Sequence, residues 1–175
     1  VVAIGAPYND GNGNDSGHVR IYENVNNIWT QVGADIDGEA NSDKSGYSVS
    51  LSSDGSVVAI GAPNEYISGT DGAGYSGYVR IYQNINNNWT QVGSNIEPYE
   101  FPTPGWDFFG SHVSLSANGS FVAIGAIGND GNGPQSGNVK IYQISNSTGT
   151  NLSDLEAYNY IASNTDLISS IGSDI

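Results

Sequence analysis

Short apolar runs separated by polar, glycine-rich stretches dominate the hydrophobic pattern of this chain. Val1-Val2-Ala3-Ile4-Gly5-Ala6-Pro7 returns as Val57-Val58-Ala59-Ile60-Gly61-Ala62-Pro63 and again as Phe121-Val122-Ala123-Ile124-Gly125-Ala126-Ile127. Each run leads through a Gly-rich stretch into Val19-Arg20-Ile21-Tyr22, Val79-Arg80-Ile81-Tyr82 or Val139-Lys140-Ile141-Tyr142. Two further elements recur, Trp29-Thr30-Gln31-Val32-Gly33 with Trp89-Thr90-Gln91-Val92-Gly93, and Tyr47–Ser52 with Ser111–Ser116. The period is about 60 residues, with four short runs in each.

Every run reads as a β-strand. Val49 and Leu51 alternate with Ser48, Ser50 and Ser52, and Val19 and Ile21 with Arg20 and Tyr22, the period of two for a strand with one buried face. The Val-Val-Ala-Ile-Gly-Ala run is apolar throughout, as a strand covered on both faces requires. Ser53-Asp54-Gly55 and Ala117-Asn118-Gly119 are tight-turn signals, because glycine accepts the positive φ of such hairpins. No amphipathic helix is predicted before about residue 152.

Four antiparallel strands in order, A (Tyr47–Ser52), B (Val57–Ala62), C (Val79–Tyr82) and D (Trp89–Val92), make one blade of a β-propeller-type array. The chain carries B, C and D of one blade (about 1–33), all of a second (46–93), and A, B and C of a third (110–143). A linker (144–153) and a helical tail (154–175) follow, with Asp154 as N-cap and Leu155, Tyr158 and Ile161 near helical spacing. The predicted fold is all-β: a partial array of about two and a half blades with a short helical tail. Too few blades are present to close a ring, which predicts a longer parent chain or self-association.

Ser45-Gly46-Tyr47-Ser48-Val49-Ser50-Leu51, Val58-Ala59-Ile60-Gly61-Ala62-Pro63 and Gly77-Tyr78-Val79-Arg80-Ile81-Tyr82 resemble the FG-GAP repeats of integrin-α-like β-propellers. Phe109-Gly110 and Gly5-Ala6-Pro7 carry the same signature, so the resemblance covers about residues 1–143. It implies a propeller used in adhesion or recognition outside the cell. Calcium-binding members carry an Asp-x-Asp-x-Asp-Gly loop between strands A and B. Here that turn is only Ser53-Asp54-Gly55-Ser56 or Ala117-Asn118-Gly119-Ser120, far short of the six to eight oxygens calcium takes. The family's calcium site is therefore not carried over. The tail around Tyr160–Ile168 is similar to a short helical repeat of bacterial surface and secreted proteins.

Composition narrows the function. With 18 Asp and Glu against 4 Lys and Arg, the formal net charge is -14, which repels phosphate backbones and excludes nucleic acid as a partner. There is no Cys for disulfide or thiolate chemistry, and no apolar run long enough for membrane insertion. The absence of Met, even at position 1, predicts a piece of a longer product.

In an up-and-down blade the B–C and D–A connections share one end, and every long connection here is of those two kinds. That loop face is where a site is expected. Tyr66, Tyr75, Tyr99 and Trp106 lie in it and suit stacking on a glycan or anchoring a protein. Asp10, Asn12 and Asn14, with Asp130 and Asn132, alternate oxygen side chains with Gly, the pattern of a calcium loop and equally of self-capped Asx turns. Asp35, Asp37, Glu39 and Asp43 form an acidic D–A loop that could supply the acid and base of a polysaccharide hydrolase. Trp29 and Trp89, and Tyr22, Tyr82 and Tyr142, recur at fixed strand positions and read as structural. The leading expectation is a non-enzymatic, extracellular or cell-surface module recognising glycan or protein; a hydrolase and a plain spacer are the alternatives.

Overall fold

The computed structural model describes residues 1–64, 66–67, 74–98, 107–144 and 157–158. Among them the chain forms three four-stranded antiparallel sheets and one two-stranded ribbon. The middle sheet contains β5 (Ser48–Leu51), β6 (Val57–Ala62), β9 (Tyr78–Ile85) and β10 (Asn88–Gln91), ordered β10-β9-β6-β5. This is the predicted D-C-B-A order of a complete blade. The first sheet holds β1 (Val2–Ala6), β2 (His18–Val25) and β3 (Ile28–Gln31); β4 (Ile36–Asp37) pairs with the start of β2, placing Val19 opposite Ile36. The third holds β11 (Phe109–Leu115), β12 (Phe121–Ala126), β13 (Asn138–Gln143) and β14 (Ala157–Tyr158). The ribbon, β7 (Tyr66–Ile67) with β8 (Gly74–Tyr75), stands in the B–C connection of the middle blade.

The hairpins follow local chemistry. Asn26-Asn27 and Asn86-Asn87 turn β2 into β3 and β9 into β10 with positive φ at all four residues, the geometry that matches strand twist in two-residue loops. Each A–B turn is a serine–Asx knot. Asp54 Oδ1 accepts from Ser52 Oγ (2.7 Å), Ser56 N (3.0 Å) and Ser56 Oγ (2.8 Å). Asn118 Oδ1 accepts from Ser116 and Ser120 in the same way.

The sheets stack face to face, and strand parity assigns each residue to a seam. On β6, Val57 and Ala59 point toward the third blade, where Val79, Ile81, Phe109, Val122 and Ile124 join them in one core. Val58 and Ile60 point the other way, into a second core with Val19, Ile21 and Ile36. All six residues of β6 are buried as a result. The terminal blades keep only one covered face, so Ile4 of β1 and Ile141 of β13 are exposed although their equivalents Ile60 and Ile81 are buried. Glycines let the blades touch: a Cβ on Gly61 would overlap the carbonyl oxygen of Gly110 and the Ser48 hydroxyl.

Strand C of the first blade keeps the expected alternation, with Val19 and Ile21 buried and Arg20 exposed, whereas strand C of the middle blade is covered on both faces because Arg80 and Tyr82 lie against the first blade. One expectation changes. Among the described residues of the tail no helix is found: Ala157–Tyr158 are extended, with Tyr158 opposite Ile141 and Ala157 opposite Tyr142. The outer edge of β13 offers unpaired N–H and C=O groups, and strand pairing there satisfies both partners where a helix would satisfy one. Asp154, Leu155 and Ile161 lie outside the described residues.

Candidate functional site

Hydrogen bonds knit the B–C and D–A connections of the first blade into one surface. Gly38 N donates to Gly17 O (2.9 Å), Ser42 N to Asn14 O (2.8 Å) and Lys44 N to Asp15 O (3.1 Å). Asn12 Nδ2 reaches Gly38 O (2.7 Å), and Asn41 Oδ1 accepts from Asn14 N (3.0 Å). Two loops 21 to 29 residues apart in sequence thus form one ordered platform on the sheet ends, as the blade topology requires.

Inside that platform the Asp-Asn-Gly loops cap their own backbone. Asn9 Oδ1 accepts from Gly11 N, and Asp10 Oδ1 from Asp15 N, both at 2.8 Å. The third blade repeats the design, with Asn129 Oδ1 on Gly131 N (3.0 Å), Asp130 Oδ1 on Gln135 N (2.6 Å) and Asn132 N donating to Ser136 Oγ (3.3 Å). Among the described residues, the group of three His, Asp or Glu side chains whose ligand atoms lie within 4.8 Å of one another is His18, Asp35 and Asp37. Arg20 already holds that Asp35, with Nε and Nη2 both on Oδ2 at 2.9 and 2.8 Å, and Gln31 Nε2 sits on the other oxygen. These donors keep the Asp35 carboxyl below the usual carboxylate range.

The rest of the acidic loop binds the next blade. Asp43 is buried, and its Oδ2 accepts from Ala40 N (2.8 Å) and from the Tyr78 hydroxyl (2.9 Å). Glu39 pairs with the buried Arg80 at 3.3 Å, and the Asp37 carbonyl accepts from Arg80 Nη2 at 3.2 Å. Arg80 also donates to the hydroxyls of Tyr82 (3.0 Å) and Tyr78 (3.1 Å). Burial pushes the Tyr78 phenol up, so it stays a donor to Asp43. Of the carboxylates offered by sequence for acid–base chemistry, Glu39 and Asp43 therefore fix one blade to another, and Asp35 is held within the first blade by Arg20 and Gln31.

Asp107 occupies the position equivalent to Asp43, three residues before the strand-A glycine. It is buried and accepts from Asn129 Nδ2 at 3.4 Å, and burial raises its carboxyl above the ordinary value. Sequence reasoning did not single it out; its spacing from Gly110, matching that of Asp43 from Gly46, was the available signal. Trp89 is structural as expected, donating Nε1–H to Val32 O of the preceding blade (2.8 Å), whereas Trp29 is exposed on the open face of the first blade.

Of the aromatic candidates, the backbones of Tyr66 and Tyr75 are placed directly opposite each other in the β7–β8 ribbon. Tyr99 and Trp106 lie outside the described residues. The ribbon belongs to the B–C connection of the middle blade, the same kind of connection as one of the two that form the platform.

Residues 105–142, which span β11, β12 and β13, match the model of the FG-GAP repeat. The match covers strands A, B and C of the third blade, and the middle blade repeats its A-B-C order and its strand-A glycine at Gly46. FG-GAP domains are binding modules, and their repeats occur in extracellular and cell-surface proteins. No curated protein matches the chain. Among the described residues no helix is long and apolar enough to cross a membrane.

Proposed function

We propose that this chain is an extracellular or cell-surface binding module whose B–C and D–A loop face recognises a glycan or a protein. The observation that carries the reading is the platform itself: the two long loops of the first blade, tied to each other at the end of the stacked sheets. Loops held rigid on a scaffold lose little entropy on binding, which is why recognition sites concentrate there. Tyr66 and Tyr75, cross-strand neighbours, with Tyr99 and Trp106 from the next connection, are the contact residues; an aromatic face stacks on a sugar ring or fills a protein pocket. Asp35, Glu39 and Asp43 are engaged by Arg20, Arg80 and Tyr78, which supports a binding role for this loop face over an acid–base one.

The test is a binding screen against surface glycans and matrix proteins, repeated with Trp106→Ala, Tyr99→Ala and the Tyr66→Ala/Tyr75→Ala pair. Loss of about tenfold or more for a folded aromatic variant is expected of hot-spot residues. Binding that survives all of these substitutions would remove the aromatic face from the account. A glycan shortened during the assay would favour hydrolysis, and no ligand at all would favour a spacer.

A further inference from the structure

A cleft of about 190 Å3 opens at the seam between the first and middle blades. One wall is residues 34–37, which include β4 of the first blade; the other is Tyr82, Asn88 and Trp89 of β9 and β10. The volume lies below the roughly 300–1,000 Å3 of sites for drug-sized ligands, so the cleft takes one small chemical group. Its rings are fixed in place. Trp89 Nε1 donates to Val32 O at 2.8 Å, tying the indole to the opposite blade, and the buried Tyr82 accepts from Arg80 Nη1 at 3.0 Å. Asn88 is exposed, and its amide makes only a 3.5 Å contact with Thr90 Oγ1.

The charges around the cleft are unevenly matched. Arg20 is paired with Asp35 at 2.8 Å, and Arg80 with Glu39 at 3.3 Å. Asp37 is exposed, and its carbonyl is taken by Arg80 Nη2, but no described donor bonds its carboxylate. Ring faces are negative, and an apolar occupant would desolvate Asp37 without compensation, so the lining suits a cation. A metal ion needs several oxygens and finds one unengaged carboxylate, whereas an alkylammonium gains from the rings and the carboxylate together. The formal net charge of -14 draws cations to the surface as a whole.

We propose that this seam cleft binds an organic ammonium group, with Trp89 and Tyr82 as ring walls, Asp37 as counter-ion and Asn88 as a polar rim. It uses none of Tyr66, Tyr75, Tyr99 or Trp106, and stands whether or not the loop face binds a ligand.

The test is a chemical-shift titration of the isotope-labelled full chain with choline and with Nα-acetyl-lysine amide, which separate a quaternary from a primary ammonium. The control is the neutral carbon isostere of choline, in which tert-butyl replaces trimethylammonium. Saturable shifts are expected at the Trp89 indole N–H, the Asn88 amide and residues 34–37, with a Kd of about 1–10 mM for at least one amine. The isostere gives no saturable shift. Asp37→Asn, which keeps the backbone carbonyl for Arg80, weakens the amine about threefold or more, as loss of an exposed counter-ion does. Trp89→Leu abolishes the shifts; if that variant does not fold, Asp37→Asn and the isostere decide. No saturable shift with either amine, equal binding of the isostere, or unchanged affinity in Asp37→Asn overturns the proposal. Saturation by methyl glycosides in place of the amines overturns it equally and assigns the cleft to a sugar.

Discussion

Asp43→Ala should break the seam between the first two blades. Asp43 is 2% exposed and accepts two hydrogen bonds on one oxygen, from Ala40 N and the Tyr78 hydroxyl. Hydrogen bonds to a charged acceptor contribute about 1.5–3 kcal/mol each, offset by the desolvation that the carboxylate no longer suffers. The substitution also leaves the Ala40 N–H and the Tyr78 O–H without that acceptor, so a net loss of about 3 kcal/mol is expected. Tyr78→Phe removes one of the two bonds and an acceptor of Arg80 Nη2, and should cost about 2 kcal/mol. Because the two side chains meet across a seam, the double variant should cost about 1–2 kcal/mol less than the sum. Urea unfolding followed by tryptophan fluorescence reads this directly, since Trp89 is seated on Val32 in the same seam. A loss below about 0.5 kcal/mol for Asp43→Ala, or additive single effects, would refute the seam role and return Asp43 to the list of free carboxylates.

Gly61→Ala and Gly125→Ala sit at equivalent strand positions and should behave oppositely. The first drives a Cβ into Gly110 O and costs about 3 kcal/mol, whereas the second meets His112 Cβ at an ordinary 3.5 Å and costs about 0.5 kcal/mol or less by chemical denaturation. The Asp54 carboxyl, held by the Ser52 hydroxyl and by the N–H and hydroxyl of Ser56, titrates at about 2. Its folded value lies below the unfolded one, so its stabilisation is present above about pH 4 and is lost as pH falls toward 2. Ser52→Ala should move the carboxyl titration, followed by NMR, back toward the ordinary value; an unchanged midpoint would deny the turn its knot. Calcium should shift the thermal midpoint by less than about 1 °C relative to chelator, because Asp10 and Asp130 already serve backbone N–H groups. A rise of several degrees would show that these loops hold the ion instead.

Strand order was legible because each repeat states it in the plainest code, Val49 and Leu51 alternating with serines and Val57–Ala62 apolar throughout. The seams were less so. Arg80 and Tyr82 alternate with Val79 and Ile81 just as solvent-facing residues would, and only the stacking of the first blade, with Glu39 and the Asp37 carbonyl, explains their burial. Likewise an acidic run such as Asp35, Asp37, Glu39 and Asp43 reads the same whether its carboxylates face substrate or the guanidinium of a neighbouring blade. β4 is two residues long and carries no periodicity to detect. The helix predicted for the tail failed at Ala157–Tyr158, where spacing at helical intervals competed with an open strand edge at β13 and lost.

The central claim, that recognition belongs to the loop end of the blades, is tested most directly by backbone chemical-shift mapping of the labelled chain during titration with its strongest ligand from the glycan and protein screen. The account predicts shifts concentrated in residues 7–17, 34–46, 63–77, 94–110 and 127–137. Shifts concentrated instead on the outer strands β3 and β10, or on the A–B turns at Asp54 and Asn118, would contradict it.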